Sequence, residues 1–230
     1  MEITIDGKKV QANEGEYILQ VARRNGIGIP TMCEHPAIEP FGSCRLCVVE
    51  ITKPQWDGWS KLVTSCLYPV QEDLIVKTNS EKVRNARAVI LDLLMARCPD
   101  VEEVRRMARV YGITETSFKK REDTDKCILC GRCMRICEKV GAGAISTMGR
   151  GVHKKVDVPM AMEDCVGCLS CVHVCPTDNI PYEKDDQHRK IWGKEFTIAK
   201  CEGCGAPLGT PEELALFAKR SGLGDEYFKL

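Results

Sequence analysis

CILCGRCMRIC, residues 127–137, and CVGCLSCVHVCP, residues 165–176, repeat one cysteine spacing within a short stretch of chain. Each run reads C-x2-C-x2-C-x3-C, and the second is followed at once by Pro176. This spacing is typical of proteins with two [4Fe-4S] clusters, in which the last cysteine of each run ligates the other cluster. The rule predicts two ligand sets, a first on Cys127, Cys130, Cys133 and Cys175 and a second on Cys137, Cys165, Cys168 and Cys171.

Zinc is the alternative metal for such runs. It usually takes two separated C-x2-C pairs that close one tetrahedron, rather than four thiolates within one short run, so the duplication favours iron–sulfur clusters. Gly131 and Gly167 lie inside the runs and let backbone amides approach the sulfurs. Glu138 stands where a small ferredoxin usually has proline, which leaves that exit less constrained without removing a ligand.

A third cysteine set lies upstream and has the organisation of [2Fe-2S] ferredoxin domains, a long loop, a tight pair and a remote fourth ligand. Its members are Cys33, Cys44, Cys47 and Cys66. Residues 53–60, KPQWDGWS, contain proline and Asp-Gly and predict a hairpin excursion that lengthens the last gap. We expect Arg45 and the amides near Gly42 and Ser43 to donate hydrogen bonds to the doubly negative oxidised cluster.

The sequence around this third set predicts a β-grasp fold. Asp6-Gly7 between two alternating stretches is a hairpin signal, and Gly26 follows a helical pattern as a stop signal. The predicted elements are strands 2–5, 8–12, 47–52, 61–65 and 74–78 and a helix over 16–25. We expect an α+β protein with an N-terminal β-grasp [2Fe-2S] ferredoxin domain, a helical bridge, a bacterial-ferredoxin-like domain with two [4Fe-4S] clusters and a C-terminal extension.

Composition narrows the class of protein. The 230 residues carry 33 Lys and Arg against 33 Asp and Glu, a balance that argues against an electrostatic nucleic-acid binder. The N-terminus lacks a secretion signal, and no stretch approaches the roughly 18 apolar residues of a membrane span. We therefore expect a cytoplasmic location, where thiols stay reduced, so that the fifteen cysteines serve metals rather than disulfides.

Three stretches carry a resemblance to a known family: FGSCRLCVVEI at 41–51, CILCGRCMRICEKVGAGAI at 127–145 and DCVGCLSCVHVCPTDNI at 164–180. Together they resemble the N-terminal iron–sulfur region of the complex I 75 kDa subunit, the small electron-transfer subunits of NAD-linked and electron-bifurcating hydrogenases, and the start of iron-only hydrogenases. The resemblance covers about residues 1–185. It implies an electron relay inside a multisubunit NAD(P)-linked oxidoreductase.

The resemblance also implies cofactors and partners. We expect one [2Fe-2S] and two [4Fe-4S] clusters, a flavin- and NAD(P)(H)-binding iron–sulfur subunit, a thioredoxin-like [2Fe-2S] subunit and a catalytic subunit. A hydrogenase is the first choice for that catalytic subunit and a formate dehydrogenase the second. No phosphate-binding glycine motif opens a βαβ unit here, so NAD and flavin are expected on a partner.

The chain departs from the family between its cluster motifs. Residues 95–120 contain Cys98 but no histidine, so we expect the family's cluster bound by one His and three Cys to be absent. Two helices, over 80–97 and 101–110 with Pro99 between them, are predicted instead, and Cys98 is expected to be a buried neutral thiol. An iron-only hydrogenase would need a large further domain, so the sequence predicts a relay with no catalytic site of its own.

The remaining features concern the C-terminal part. The sequence predicts four segments: 1–78, 79–118, 119–185 and 186–230. Cys201 and Cys204 form a knuckle typical of half a four-thiolate site for zinc or another metal. The other half could follow Leu230 or come from another subunit, or the knuckle could be a turn without metal. A helix is expected over 211–221, and His173 is expected to adjust the potential of the second cluster.

Two other classes compete with the subunit hypothesis. The iron–sulfur subunit of a succinate or fumarate enzyme also begins with a [2Fe-2S] β-grasp, but its later cysteine runs are not two identical repeats. A free-standing polyferredoxin carrier is the other, although carriers usually show an acidic docking surface and this chain has a formal charge of zero.

Overall fold

A computed structural model describes residues 1–122, 125–158 and 162–222. Two short stretches of the expected segment 119–185 lie outside the described part, namely residues 123–124 and 159–161. The end of the expected segment 186–230, residues 223–230, lies outside it too. The chain folds as two units that divide between Cys130 and Gly131.

The first unit begins with a five-stranded sheet. Its strands are β1 (Glu2–Ile5), β2 (Lys8–Gln11), β3 (Val48–Thr52), β4 (Lys61–Thr64) and β5 (Ile75–Lys77). They lie in the order β2-β1-β5-β3-β4, with β1 and β5 parallel and the other neighbours antiparallel. Asp6 and Gly7 both have positive φ and form the tight turn between β1 and β2.

Helix α1 (Ile18–Arg24) provides the other layer of this fold. Its apolar face, led by Ile18, Val21 and Ala22, packs into a buried core with Ile3, Ile5 and other inward-facing strand residues. Such burial of aliphatic side chains is the main stabilising contribution in a domain of this size. One sheet, one helix across it and a long loop before β3 make the β-grasp that the sequence predicts, and residues 53–60 form the β3–β4 connection with one 3-10 turn at Pro54–Trp56.

Two helices complete the first unit: α2 (Glu81–Arg97) and α3 (Glu102–Val110). Helix α2 starts where the Ser80 hydroxyl accepts a hydrogen bond from the Val83 amide, a standard N-cap. The two helices enclose a second core that includes Leu91, Val104 and Cys98. The predicted helical bridge is therefore present, with ends within one residue of those expected.

The second unit is built from short elements. Its helices are α4 (Arg132–Val140), α5 (Ser170–His173) and α6 (Pro211–Ser221). Its strands are β6 (Ser146–Met148), β7 (Lys155–Asp157), β8 (Tyr182–Lys184), β9 (His188–Ile191), β10 (Lys194–Thr197), β11 (Ala199–Lys200) and β12 (Pro207–Gly209). The α+β class expected from the sequence is confirmed. No helix in the described part of the chain is long and apolar enough to cross a bilayer.

The strands of the second unit pair locally. Strands β6 and β7 form one hairpin, β8, β9 and β10 form an antiparallel meander, and β11 and β12 flank the Cys201–Cys204 turn. Helix α6 begins with a capping box in which Thr210 and Glu213 satisfy each other's backbone amides, and Pro211 takes the first helical position. This ordered region extends the second unit well past the last cysteine run.

Candidate iron–sulfur sites

The four cysteines of the predicted [2Fe-2S] site are all buried in the first unit. Cys33 and Cys44 lie in the loop between α1 and β3, Cys47 immediately precedes β3, and Cys66 follows β4. The sulfurs of Cys47 and Cys66 are 3.3 Å apart, although they are 19 residues apart in sequence. The sheet therefore brings the remote fourth cysteine to the tight pair.

Mutual hydrogen bonding divides these thiols into two pairs. A hydrogen bond from Cys44 lowers the pKa of Cys33 to about 5, and one from Cys66 lowers the pKa of Cys47 to about 6. The same bonds raise the pKa of Cys44 and of Cys66, together with burial. Each pair therefore yields a thiolate near neutral pH, the form that binds iron.

Backbone amides also face these sulfurs. The amides of Ser43 and Cys44 donate to Cys33, and the Met32 amide lies 3.4 Å from the Cys44 sulfur. Inward amides of this kind stabilise the negative charge of a thiolate-bound cluster. The donors expected near Ser43 are therefore present, whereas the Arg45 side chain is exposed and reaches the Gly42 carbonyl.

Arg87 on α2 is a residue of this site that the sequence reasoning missed. Its guanidinium is buried, and it donates from Nε to the Leu46 carbonyl at 3.0 Å and from a terminal nitrogen to the Val48 carbonyl at 2.8 Å. Its third partner is the Tyr111 hydroxyl at 3.2 Å. A buried guanidinium whose hydrogen-bond partners are neutral places positive charge at the carbonyls of Leu46 and Val48, the residues on either side of Cys47.

The duplicated cysteine runs have a duplicated backbone. Two residues after the first cysteine, Leu129 and Gly167 have φ of 54° and 68°, and two residues further on, Gly131 and Leu169 have φ of 71° and 60°. The left-handed region is unfavourable for leucine, so the loops hold these residues there against their preference. In both loops the amide of the first such residue donates to the sulfur of the first cysteine. The two loops with the same cysteine spacing therefore have the same backbone conformation and the same amide-to-sulfur hydrogen bond.

The second predicted [4Fe-4S] set surrounds one cavity in the second unit. Four thiols line it, those of Cys137, Cys165, Cys168 and Cys171. Its other walls are mostly apolar and include Ile145, Ile191 and Trp192. The Cys137 sulfur accepts from the Ala144 amide at 3.3 Å. Four thiols around an apolar cavity, with amides directed at the sulfurs, fit a [4Fe-4S] cluster.

Burial controls the thiols of this cavity. It raises the pKa of Cys137 and of Cys165, and it raises the pKa of Cys171 to about 12. The indole N–H of Trp192 acts on Cys171 in the opposite direction. Unligated, Cys137, Cys165 and Cys171 stay protonated at neutral pH, so iron must displace their protons on binding. His173, which we expected to influence this site, is exposed on α5.

Residues beyond the second cysteine run hold its loop in place. Three successive carbonyls accept hydrogen bonds from side chains of the region 189–210: Cys165 from Lys194 at 3.0 Å, Val166 from the Thr210 hydroxyl, and Gly167 from Arg189 at 3.1 Å. These carbonyls accept hydrogen bonds from side chains outside the loop, so the backbone amides between them can point toward the cavity.

The first predicted [4Fe-4S] set draws on both units. Cys127 and Cys130 end the first unit, and Cys133 and Cys175 belong to the second. The Cys127 sulfur accepts from the Leu129 amide at 3.4 Å, and the Cys175 sulfur accepts from the Asn179 amide at 3.4 Å. Cys127 and Cys175 thus each have an amide donor of the kind found in cluster loops. The grouping of all four cysteines stays a prediction.

The last three cysteines lie outside these sets. Cys98 is buried, and burial raises its pKa to about 12, as expected of a neutral thiol. At the knuckle, the amides of Cys204 and Gly203 donate to the Cys201 sulfur and lower its pKa. Across residues 1–122, 125–158 and 162–222, no third His, Cys, Asp or Glu joins this pair to form a metal-binding group. No disulfide joins any of the fifteen cysteines, all of which are described.

Two domain families match the chain. A 2Fe-2S iron-sulfur cluster binding domain matches residues 1–81, and a 4Fe-4S dicluster domain matches residues 121–181. The first match contains the set ending at Cys66, and the second contains both runs from Cys127 to Cys175.

Relatives extend these matches over most of the chain. The NADP-reducing hydrogenase subunit HndD of Solidesulfovibrio fructosivorans is 34% identical over 84% of this chain and 37% of its own length. The mitochondrial NADH-ubiquinone oxidoreductase 78 kDa subunit of Neurospora crassa is 33% identical over 66% of this chain and 23% of its own length. The chain therefore spans well under half the length of these curated relatives.

A solved structure shares the fold. It is a crystal structure of NAD+-reducing [NiFe]-hydrogenase in the H2-reduced state, and one of its chains superposes with a TM-score of 0.66 and 27% identity. The match covers 77% of this chain and 85% of that chain. With its 2Fe-2S and 4Fe-4S dicluster domains, the chain thus belongs to the family of iron–sulfur proteins that includes parts of NAD(P)-linked hydrogenase and NADH-ubiquinone oxidoreductase subunits.

Proposed function

We propose that the chain is an electron-transfer subunit that carries one [2Fe-2S] and two [4Fe-4S] clusters within an NAD(P)-linked oxidoreductase complex. The observation that carries the proposal is the cavity lined by Cys137 together with Cys165, Cys168 and Cys171. Spacing alone groups these four, and their presence in the lining of one cavity supports the proposal. Bound clusters of these types would supply one-electron carriers.

The chain's own residues bind and adjust these carriers rather than make or break bonds. Twelve cysteines supply the thiolates, in the three sets given above. Amides such as those of Ser43 and Ala144 donate toward the sulfurs, and Arg87 adds positive charge beside Cys47. Apolar walls keep water from the sulfurs. The exposure of a cluster to water is one of the main controls on its reduction potential.

The partners follow from the relatives. One relative belongs to an NADP-reducing hydrogenase, and another is a chain of an NAD+-reducing [NiFe]-hydrogenase. We therefore propose a flavin- and NAD(P)(H)-binding iron–sulfur subunit on one side, with a thioredoxin-like [2Fe-2S] subunit, and a hydrogenase subunit on the other. Cys201 and Cys204 are proposed as two ligands of a further metal ion, zinc being the first choice.

The organisation in four segments, 1–78, 79–118, 119–185 and 186–230, is retained as a proposal for how these roles are distributed. The first segment carries the [2Fe-2S] ligands, and the third carries both [4Fe-4S] runs. The fourth supplies the side chains that hold the loop of the second run, namely Arg189, Lys194 and Thr210.

Iron analysis tests the cofactor proposal. Two plus four plus four irons give about ten per chain after anaerobic purification, with matching acid-labile sulfide. A value near six would show that one [4Fe-4S] assignment is wrong. Co-purification from the source with identification of the bound subunits tests the partners, and a lone 25.7 kDa species in cell extract would contradict the subunit role.

A further inference from the structure

The turn between β9 and β10 places a tryptophan against the second [4Fe-4S] cavity. We propose that the Trp192 indole N–H donates an N–H···S hydrogen bond at the Cys171 side of that site and raises the reduction potential of this cluster alone. The inference rests on the proposed function, because it presupposes a bound cluster.

The backbone at this turn is unusual for so large a residue. Ile191 pairs with Lys194, so the loop consists of Trp192 and Gly193 alone. Their φ values are 55° and 79°. Two-residue turns of this kind favour asparagine followed by glycine, and a bulky residue in the first position is strained. Strain of this kind persists where surrounding contacts hold it, and it is frequent at functional sites.

The strained turn places the indole of Trp192 in the wall of the cavity. Trp192 and Ile191 line the same cavity as Cys137, Cys165, Cys168 and Cys171. The indole nitrogen is buried, and it has no hydrogen-bond partner among the described residues. A buried N–H without an acceptor is costly, so it calls for a partner. Cys171 lines the same cavity, and its pKa is the one that this N–H lowers, so its sulfur is the acceptor in the proposal.

The strands on either side of the turn fix its position. Lys194 and Arg189 donate to the carbonyls of Cys165 and Gly167, so the hairpin is attached to the ligand loop that it covers. Arg189 is fixed in turn by Glu213 of α6 at 2.7 Å. The Lys194 ammonium also lies 4.6 Å from the centre of the Phe196 ring. A donor carried by a hairpin anchored in this way is preorganised rather than adaptable.

The sign of the effect follows from charge. Reduction adds an electron to a centre that is already negative, so hydrogen bonds to its sulfurs stabilise the reduced form more than the oxidised form. The Trp192 N–H therefore favours reduction of this centre. The sulfur that it faces belongs to the second set alone, so a single substitution is expected to separate the potentials of the two [4Fe-4S] centres.

The test uses Trp192→Phe in the full-length, cluster-loaded chain. Phenylalanine has no N–H but keeps an aromatic ring in the wall, so the hydrogen bond is removed with a modest loss of side-chain volume. We expect a potentiometric titration followed by EPR to show one [4Fe-4S] centre becoming harder to reduce, by about tenfold in its reduction equilibrium, or about 59 mV. The other [4Fe-4S] centre and the [2Fe-2S] centre should keep their potentials. Trp59→Phe, at an exposed tryptophan of the first unit, is the matched control and should shift none.

A second measurement needs no variant. In chain labelled with 15N at the tryptophan indole, pulsed EPR of the reduced protein should detect a 15N coupling to one [4Fe-4S] centre. Normal [4Fe-4S] signals without this coupling, and with potentials that Trp192→Phe leaves unchanged, would overturn the inference and leave the proposed function intact. Absence of [4Fe-4S] signals from the unsubstituted chain would instead contradict the proposed function.

Discussion

Arg87 donates a 3.0 Å hydrogen bond to the carbonyl oxygen of Leu46, one of the two residues between the predicted [2Fe-2S] ligands Cys44 and Cys47. The guanidinium comes from the middle of α2, 41 residues further along the chain. The same guanidinium also binds the carbonyl of Val48, so it holds the backbone on both sides of Cys47. The helical bridge is thus part of the [2Fe-2S] site and more than a spacer.

Replacing Arg87 with methionine should weaken both the fold and the electron affinity of the site. Two buried carbonyls lose a charged donor, which we expect to cost about 2–4 kcal/mol of unfolding free energy. Loss of the buried cation should also lower the [2Fe-2S] potential, because the reduced cluster carries the extra negative charge. Chemical denaturation and redox titration measure the two effects. Arg84→Met, one turn earlier on the exposed face of α2, is the control and should change neither.

Removing one [2Fe-2S] ligand should remove that cluster alone. In Cys47→Ala we expect iron to fall from about ten to about eight per chain, with the [2Fe-2S] EPR signal lost and the [4Fe-4S] signals kept. Cys98→Ala also deletes a buried thiol, but it should retain all the iron, because Cys98 lies outside the three ligand sets. Loss of iron in the Cys98 variant would make Cys98 a ligand and contradict the assignment.

Glu50 should make the first unit sensitive to acid. A hydrogen bond from Ser60, helped by Ser80 and Lys82, lowers the pKa of Glu50 from 4.5 to about 2. A carboxyl group whose pKa is lowered in the folded state contributes stability that is present above pH 4.5 and is lost as pH falls toward 2. At pH 7 this contribution is of the order of 1–3 kcal/mol.

Unfolding of Glu50→Gln and of the unsubstituted chain, compared at pH 7 and pH 4, checks this. The stability difference should be largest at pH 7 and should narrow by about 1 kcal/mol at pH 4. Glu14→Gln, at an exposed position, is the control and should change the stability little. If the stability difference between Glu50→Gln and the unsubstituted chain is the same at pH 7 and pH 4, the carboxylate charge does not stabilise the fold.

Cys201 should react with alkylating agents more readily than Cys98. Amide donors lower its pKa, whereas burial raises that of Cys98 to about 12. In cluster-loaded protein, we expect Cys201 to be alkylated at a lower pH than an ordinary thiol and Cys98 to stay unmodified until the chain unfolds. Peptide mapping by mass spectrometry identifies the modified site. Added Zn2+ should protect Cys201 and Cys204 together, and unchanged alkylation in its presence would contradict a metal role for the knuckle.

Most of the first unit could be predicted from the sequence because its signals are local. Asp6-Gly7 fixes the first hairpin, and apolar alternation sets the strands that follow. Pro99 and Ser80 mark the ends of the two helices of the bridge. The observed strands and helices lie within about two residues of those expected. The three ligand sets rest on cysteine spacing and stay predictions.

What escaped prediction depends on contacts that are distant in sequence. Arg87 looks like one more surface charge on α2, although it lies on the same helical face as Val83 and Leu91, a stripe that ought to be apolar. Trp192-Gly193 between two short polar strands could have indicated a two-residue turn. The strands themselves, three or four residues long and mostly exposed, carry too little periodicity to be recognised.

The three bonds from Arg189, Lys194 and Thr210 to the second ligand loop set the shortest chain that can complete this loop. The cysteines of the loop end at Cys171, but its carbonyls have all three side-chain partners only in a chain that reaches Thr210. A fragment cut directly after Pro176 would keep every predicted ligand of the second cluster and lose the side chains that hold the loop. The smallest fragment that retains the whole loop therefore ends beyond Thr210, well past the cysteine motif.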